Sequence, residues 1–183
     1  HVIPRSYSVD ALQGVRNPAG LKGHQLAVES HVVIGEVASL DNVVRAVEGT
    51  GLTVKSMVLE PLASAEAVLT GDEKEMGVVL VDIGGGTTDI AIFSEGVMCN
   101  TSVLPVGGFQ FTNDLVISLS VPYEAAEEVK VKYGHAIPEE VDPDETVEVH
   151  GYDEEWPHLV RRRDLSRTLN ERASELLRLI LLK

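Results

Sequence analysis

This 183-residue sequence predicts an α/β fold, and three observations carry that prediction. The first is VVLVDIGGGTTDIAIF at residues 78–93, where two β-branched apolar stretches flank three glycines and two threonines, with Asp82 before them and Asp89 after. The second is the alternation of strand-like and helix-like patterning through residues 2–69. The third is a set of helical patterns after residue 111, the last of them long and amphipathic.

Residues 2–10 alternate as a strand does. Residues 14–24, with Gly14, Pro18, Gly20 and Gly23, read as loop, and residues 26–34 as a second strand. Asp41 is the expected cap of a helix that carries Val43, Val44 and Val47 and ends in the glycines at 49 and 51. Residues 52–59 then return as a strand, which makes a βαβ unit. Pro61 opens a short alanine-rich helix through Leu69, and Gly71 with Asp72 closes it. Residues 78–93 read as strand, turn, strand, and residues 97–106 as a further strand. Gly107 and Gly108 follow, then helices over 112–119 and 123–133.

Residues 138–148 hold six acids and no base, the pattern of a solvated loop. Arg161, Arg162 and Arg163 open the terminal helix, which sets Leu165, Leu169, Ala173, Leu176, Leu177 and Ile180 on one face. That stripe is most simply a core face. A membrane-surface helix fits less well, because its polar side mixes Glu171 and Glu175 with arginines.

Composition bounds the function classes. With 44% hydrophobic and 24% charged residues the chain can fill one substantial core or two small ones. No apolar run approaches the ~20 residues of a spanning helix. A net charge of -14 argues against nucleic acid, which rewards clustered Lys and Arg. The single cysteine, Cys99, rules out an internal disulfide and reads as a small apolar side chain on a strand.

Chemistry concentrates around the glycines. A Walker loop needs a lysine within it and a helix after it, and this segment has neither. What remains is a phosphate-gripping β-hairpin: glycines take positive φ and bring backbone N–H groups against an oxyanion, hydroxyls add donors, and a carboxylate holds hydrated Mg2+. An ordinary hairpin turn rarely needs three glycines and two threonines in a row. Asp82 and Asp89, if buried, need hydrogen bonds or a nearby cation. Glu60, before Pro61, either projects from a strand end into a cleft or is an acid favoured at a helix start. Glu127 and Lys130, three apart on one helix, either pair with each other or reach a common ligand. Gly107 and Gly108 present free N–H groups suited to an anion or ligand edge, or form a plain tight turn.

The loop pattern resembles the second phosphate loop of the actin, hexokinase and DnaK-type chaperone superfamily. The chain as a whole resembles the FtsA family of bacterial cell-division proteins, through HVIPRSYSVD, GVRNPAGLKGHQL, GLTVKSMVLEPLASAEAVLTGDEKEMGVVLVDIGGGTTDIAIF, LPVGG and EEVKVKYG. The resemblance implies an α/β, actin-like (ribonuclease H-like) ATPase lobe with mixed sheets flanked by helices. It implies four segments: residues 1–35, the second half of a side subdomain peculiar to the family; 36–75, the remainder of the first large subdomain with its connecting helix; 76–133, the nucleotide-binding subdomain of the second lobe; and 134–183, its truncated outer subdomain. Both ends look cut, so the sequence is expected to be a fragment.

ATP and Mg2+ are the implied cofactors. By resemblance Gly84, Gly85, Gly86, Thr87 and Thr88 form the phosphate loop, Asp82 holds the metal through water, and Asp89 braces the loop. Gly107, Gly108, Thr112 and Asn113 border the cleft, while Glu127 and Lys130 contact the adenosine. Glu60 implies a catalytic role orienting the attacking water, which leaves open whether the protein is an ATPase or a nucleotide-gated scaffold. The implied partners are the C-terminal tail of FtsZ, with Arg161, Arg162 and Arg163 supplying counter-charge, further copies of the protein in a filament, and the membrane through a helix absent from this sequence. The implied location is the cytoplasmic face of the membrane at the division site. A PilM-type pilus-assembly scaffold and a chaperone-type ATPase are the rival readings.

Overall fold

The computed structural model describes residues 1–152 and 157–183. The chain folds as two compact units, one of residues 1–82 and 89–102, the other of residues 83–88 and 103–183.

In the first unit, strands β1 (Val2–Val9), β2 (Leu12–Val15) and β3 (Leu26–Val32) form an antiparallel sheet in the order β2-β1-β3. Tyr7 stands opposite Val28 and Val9 opposite Leu26, and the register shifts between Pro4 and Ser6. A bulge suits proline, which has no N–H to give the ladder. Helices α1 (Val37–Glu48), α2 (Glu60–Val68) and α3 (Gly71–Met76) follow, and then a sheet of β4 (Val78–Ile83), β5 (Thr88–Ser94) and β6 (Val97–Leu104) in the order β4-β5-β6. Glu95 and Gly96, both at positive φ, make the two-residue turn between β5 and β6. The core joins Ala65 of α2 to Ala91, Phe93 and Met98 of the sheet, with Ile3, Leu59, Leu62, Val78 and Leu80 packed around them.

The second unit contains helices α4 (Gly108–Leu119) and α5 (Tyr123–Tyr133), a 3-10 turn at Pro138–Glu140, strands β7 (Thr146–Val149) and β8 (His158–Arg161), and helix α6 (Arg162–Leu181). β7 and β8 pair antiparallel. Leu115, Val121, Ala126, Val129, Val147, Val149, Leu165 and Leu169 close one core among these elements.

Several expectations change. Asp41 caps nothing: α1 starts at Val37 after an extended Glu36, placing Asp41 inside the helix. Residues 52–59 form no strand, because a strand exists through a neighbour's hydrogen bonds and none of the described sheets pairs with this segment. Residues 54–58 instead run beside Val43, Val44 and Val47 of α1, so no βαβ unit forms. The supposed loop at 14–24 gives up its first residues to β2. Gly71 and Asp72 do not end a helix but open α3, because Thr70 and Glu73 form a reciprocal capping box: each side chain accepts from the other's backbone N–H, at 3.3 and 2.8 Å. α4 begins four residues earlier than expected, at Gly108.

The acidic segment is only partly solvated. Val141 and Val147 are buried, and Glu145 accepts two hydrogen bonds from Arg162. On α6, Leu165, Leu169 and Leu176 are buried as expected, whereas Leu177 is 59% exposed. Buried positions on that helix include Ser166 rather than Leu177, because the Ser166 hydroxyl donates to the His135 carbonyl at 2.7 Å and turns this edge of the helix inward.

Candidate functional site

The glycine loop belongs to the second unit and is fixed at two places. At its neck the Gly84 N–H donates to the Thr87 carbonyl at 2.8 Å. Beneath it, the N–H groups of Gly108 and Phe109, at the start of α4, donate to the carbonyls of Gly84 and Gly85 at 2.9 and 2.7 Å. Gly107 lets this approach happen, since a Cβ there would stand 2.5 Å from the Gly84 carbonyl oxygen. The Gly107 N–H itself donates to Gln110 Oε1 at 2.8 Å.

The first N–H groups of α4 are therefore occupied, which corrects the expectation that they stand free for an anion. Positive φ is not what the loop glycines supply either, since none of Gly84, Gly85 and Gly86 adopts it. Their value is open space: a Cβ at Gly85 or Gly86 would meet nothing within 4 Å, so the loop's outer face is bare backbone. Thr88 is fully buried and its hydroxyl donates to the Val106 carbonyl at 2.7 Å, so that proton holds the loop to the segment after β6. Thr87 is exposed at the loop's rim.

On the same unit, Glu127, Lys130 and Thr112 form one network. Lys130 Nζ donates to Glu127 Oε2 at 2.7 Å, to Thr112 Oγ1 at 2.8 Å and to the Gly108 carbonyl at 3.3 Å. Those three bonds use all three ammonium protons. The fully buried Thr112 hydroxyl accepts from Lys130 and donates to Glu127 Oε2. The donated bonds from Lys130 and Thr112 hold the Glu127 carboxyl below the usual carboxylate range. Both bonds converge on one oxygen, Oε2. Thr112 comes from a neighbouring helix, which is why spacing along α5 showed only the pair. Asn113, half-buried, is the next residue of α4.

The first unit carries the two acids. Asp82 is half-buried at the end of β4, where its Oδ2 accepts from the Ser64 hydroxyl at 2.6 Å. Glu60 is exposed at the first position of α2, one turn before Ser64. Sequence reasoning missed Ser64, although its spacing of four from Glu60 was legible. Among the described residues no group of three His, Cys, Asp or Glu could hold a metal ion by itself. The half-buried Asp82 carboxylate fits Mg2+, which keeps several waters and takes one or two carboxylates together with substrate phosphates.

The three arginines at the start of α6 differ. Arg162 donates to Glu145 and to the Tyr133 carbonyl, and Arg163 donates twice to the Val141 carbonyl. Arg161 pairs with Asp164 and keeps a side chain 69% exposed. Between α4 and α6 lies a groove in which Arg172 grips Asp114 through two bonds of 2.6 and 2.8 Å, beside Ile117, Glu171 and Glu175.

Residues 79–181 match the profile of the family described as "Cell division protein FtsA", and residues 1–34 match that of the "SHS2 domain inserted in FTSA". The chain belongs to the FtsA family. It is 42% identical over 180 residues to FtsA of Pseudomonas aeruginosa and 39% identical over 180 residues to FtsA of Escherichia coli K12. Each match covers 98% of this chain, and the chain spans 43% of the length of each of these FtsA proteins. Among solved structures, MreB 5 of Spiroplasma citri bound to AMPPNP aligns over 98% of this chain and 69% of its own, with a TM-score of 0.53 at 16% identity. The PilM–PilN type IV pilus biogenesis complex aligns over 72% of this chain and 38% of its own, with a TM-score of 0.56 at 21% identity. These likenesses show the fold, which is actin-like, with sheets flanked by helices. The PilM likeness extends to fold alone. FtsA is thus a cell-division protein family on an actin-like fold, and this chain is one of its members. No helix among the described residues is long and apolar enough to cross a membrane.

Proposed function

We propose that this FtsA-family protein is an ATP-binding scaffold of bacterial division, which polymerises at the cytoplasmic face of the membrane and tethers FtsZ there. The observation that carries the reading is the glycine loop: hydrogen bonds pin its neck and floor while the backbone at Gly85 and Gly86 stays uncovered. Such a loop offers an oxyanion a rigid, unobstructed surface. In this reading residues 84–87 take the phosphates while Thr88 holds the loop from beneath, Asp82 meets hydrated Mg2+ through its water, and Gly107, Gly108, Asn113, Glu127 and Lys130 bound the nucleoside. Lys130 acts chiefly by holding Glu127, whose Oε1 is the acceptor a ribose hydroxyl would meet. Bound Mg2+ would neutralise phosphate charge. Glu60 would orient the attacking water, so that any ATPase activity depends on it.

The match of residues 1–34 supports assigning residues 1–35 to the family's side subdomain. Residues 36–75, 76–133 and 134–183 keep the assignments of first large subdomain, nucleotide-binding subdomain and outer subdomain. The outer subdomain is the proposed seat of the FtsZ tail. Arg162 and Arg163 hold the fold, so Arg161 is the arginine whose charge meets solvent. The groove around Arg172, with its paired charges beside the 76% exposed Ile117, suits a tail that mixes acidic and apolar residues.

Fluorescence anisotropy of a labelled FtsZ tail peptide with the intact protein tests the partner. Arg161→Glu should weaken binding several-fold at low salt and little at high salt, because an exposed charge acts through screened attraction. If Arg161→Glu binds as wild type and Ile117→Ala does not, the tail sits in the α4–α6 groove. If neither variant changes binding, the tail does not dock on this surface.

A further inference from the structure

The sequence EPLASAEAVL places one serine among alanines. Serine is a poorer helix former than alanine, because its hydroxyl competes for backbone groups. Ser64 nevertheless lies in the middle of α2, and its hydroxyl reaches out of the helix to Asp82 Oδ2 at 2.6 Å. A hydroxyl bond of that length to a carboxylate is charge-assisted and directional. Both side chains are half-buried, which shields the bond from competing water. The neighbouring Pro61 and Ala65 are buried, and Ala65 belongs to the core, so the turn that presents Ser64 is held rigidly. Glu60 lies on the same face of α2, one turn away.

We propose that Ser64 is a positioning residue that aims the Asp82 carboxylate at the water shell of a nucleotide-bound divalent cation and ties that carboxylate to the helix that begins with Glu60. The proposal rests on the nucleotide reading given above. With one oxygen of Asp82 held by Ser64, the other is set in direction. No cluster of three acidic, histidine or cysteine ligands exists among the described residues to hold the cation on its own. A single carboxylate working through water depends on its aim, and partners of this kind change metal affinity by about 10- to 100-fold when removed.

The test titrates Mg2+ against a fluorescent ATP analogue bound to the intact protein, with thermal melting as the fold control. Ser64→Ala should raise the Mg2+ needed for half-maximal metal-dependent binding about 10-fold, leave metal-free nucleotide affinity unchanged, and be restored by Ser64→Thr, which keeps the hydroxyl. If Ser64→Ala does not fold, Ser64→Cys, a weak donor of similar size, should give a smaller shift in the same direction. Wild-type Mg2+ dependence in the alanine or cysteine variant overturns the proposal, provided that Asp82→Ala has lost its own Mg2+ dependence. An alanine defect that threonine does not restore also overturns it, because packing would then be the cause. If Asp82→Ala keeps wild-type Mg2+ dependence, the nucleotide reading itself fails and takes this proposal with it.

Discussion

Two side chains show what tertiary structure adds to spacing. Glu127 and Lys130 are neighbours on α5, but the buried hydroxyl of Thr112 on α4 turns the pair into a closed network. Those bonds lower the Glu127 pKa. A carboxylate that is more acidic folded than unfolded contributes stability that is fully present above its unfolded pKa of about 4.3 and lost as pH falls through the lower folded value. The melting temperature of the wild type should therefore drop more steeply below about pH 4.3 than that of Glu127→Gln, and parallel curves would remove the network's role. Gly107 is a second residue with a definite consequence. Alanine there sets a Cβ 2.5 Å from the Gly84 carbonyl oxygen, and backbone has little room to move. Overpacking of this kind costs about 1–3 kcal/mol, so urea unfolding of Gly107→Ala should show a loss in that range and nucleotide binding should weaken with it. The presence of glycine at 107 was legible in the sequence. Its reason was not, because the group it makes room for lies more than 20 residues earlier in the chain.

At the scale of elements, strong local signals succeeded and signals that depend on a distant partner failed. The α5 boundaries and the hairpin strands around residues 78–93 follow from periodicity within one segment, and of the α6 stripe Leu165, Leu169 and Leu176 are buried while Leu177 is not. Residues 52–59 have strand composition but form no ladder, since pairing is settled by neighbours and not by the segment. The capping box that starts α3 was present as Thr70 and Glu73, three apart, and went unread because the glycine after Thr70 looked like a stop. Within α6 the stripe discriminates. Leu165 is 1% exposed and Leu177 59%. Leu165→Ala should therefore cost about 2–5 kcal/mol and Leu177→Ala should stay within about 0.5 kcal/mol by chemical denaturation. Equal costs would mean that α6 is packed differently.

At the scale of the whole molecule, the first unit carries Glu60, Ser64 and Asp82, and the second carries the glycine loop and the Thr112, Glu127 and Lys130 network. The family was legible from a few phrases of sequence, and the actin-like fold followed from it. Which hydroxyls, carbonyls and ammonium protons are already engaged required the three-dimensional arrangement, and that accounting reassigns Thr88 and the start of α4 to holding the loop. The central claim is that this loop and its carboxylate bind Mg-ATP. Titration calorimetry of the intact protein measures it directly. Wild type should bind Mg-ATP with one site per chain, and Asp82→Ala, at an unchanged melting temperature, should lose at least 10-fold in affinity, the lower bound for removing a group that orients a metal's shell. Equal Mg-ATP affinity in a folded Asp82→Ala protein would contradict the account.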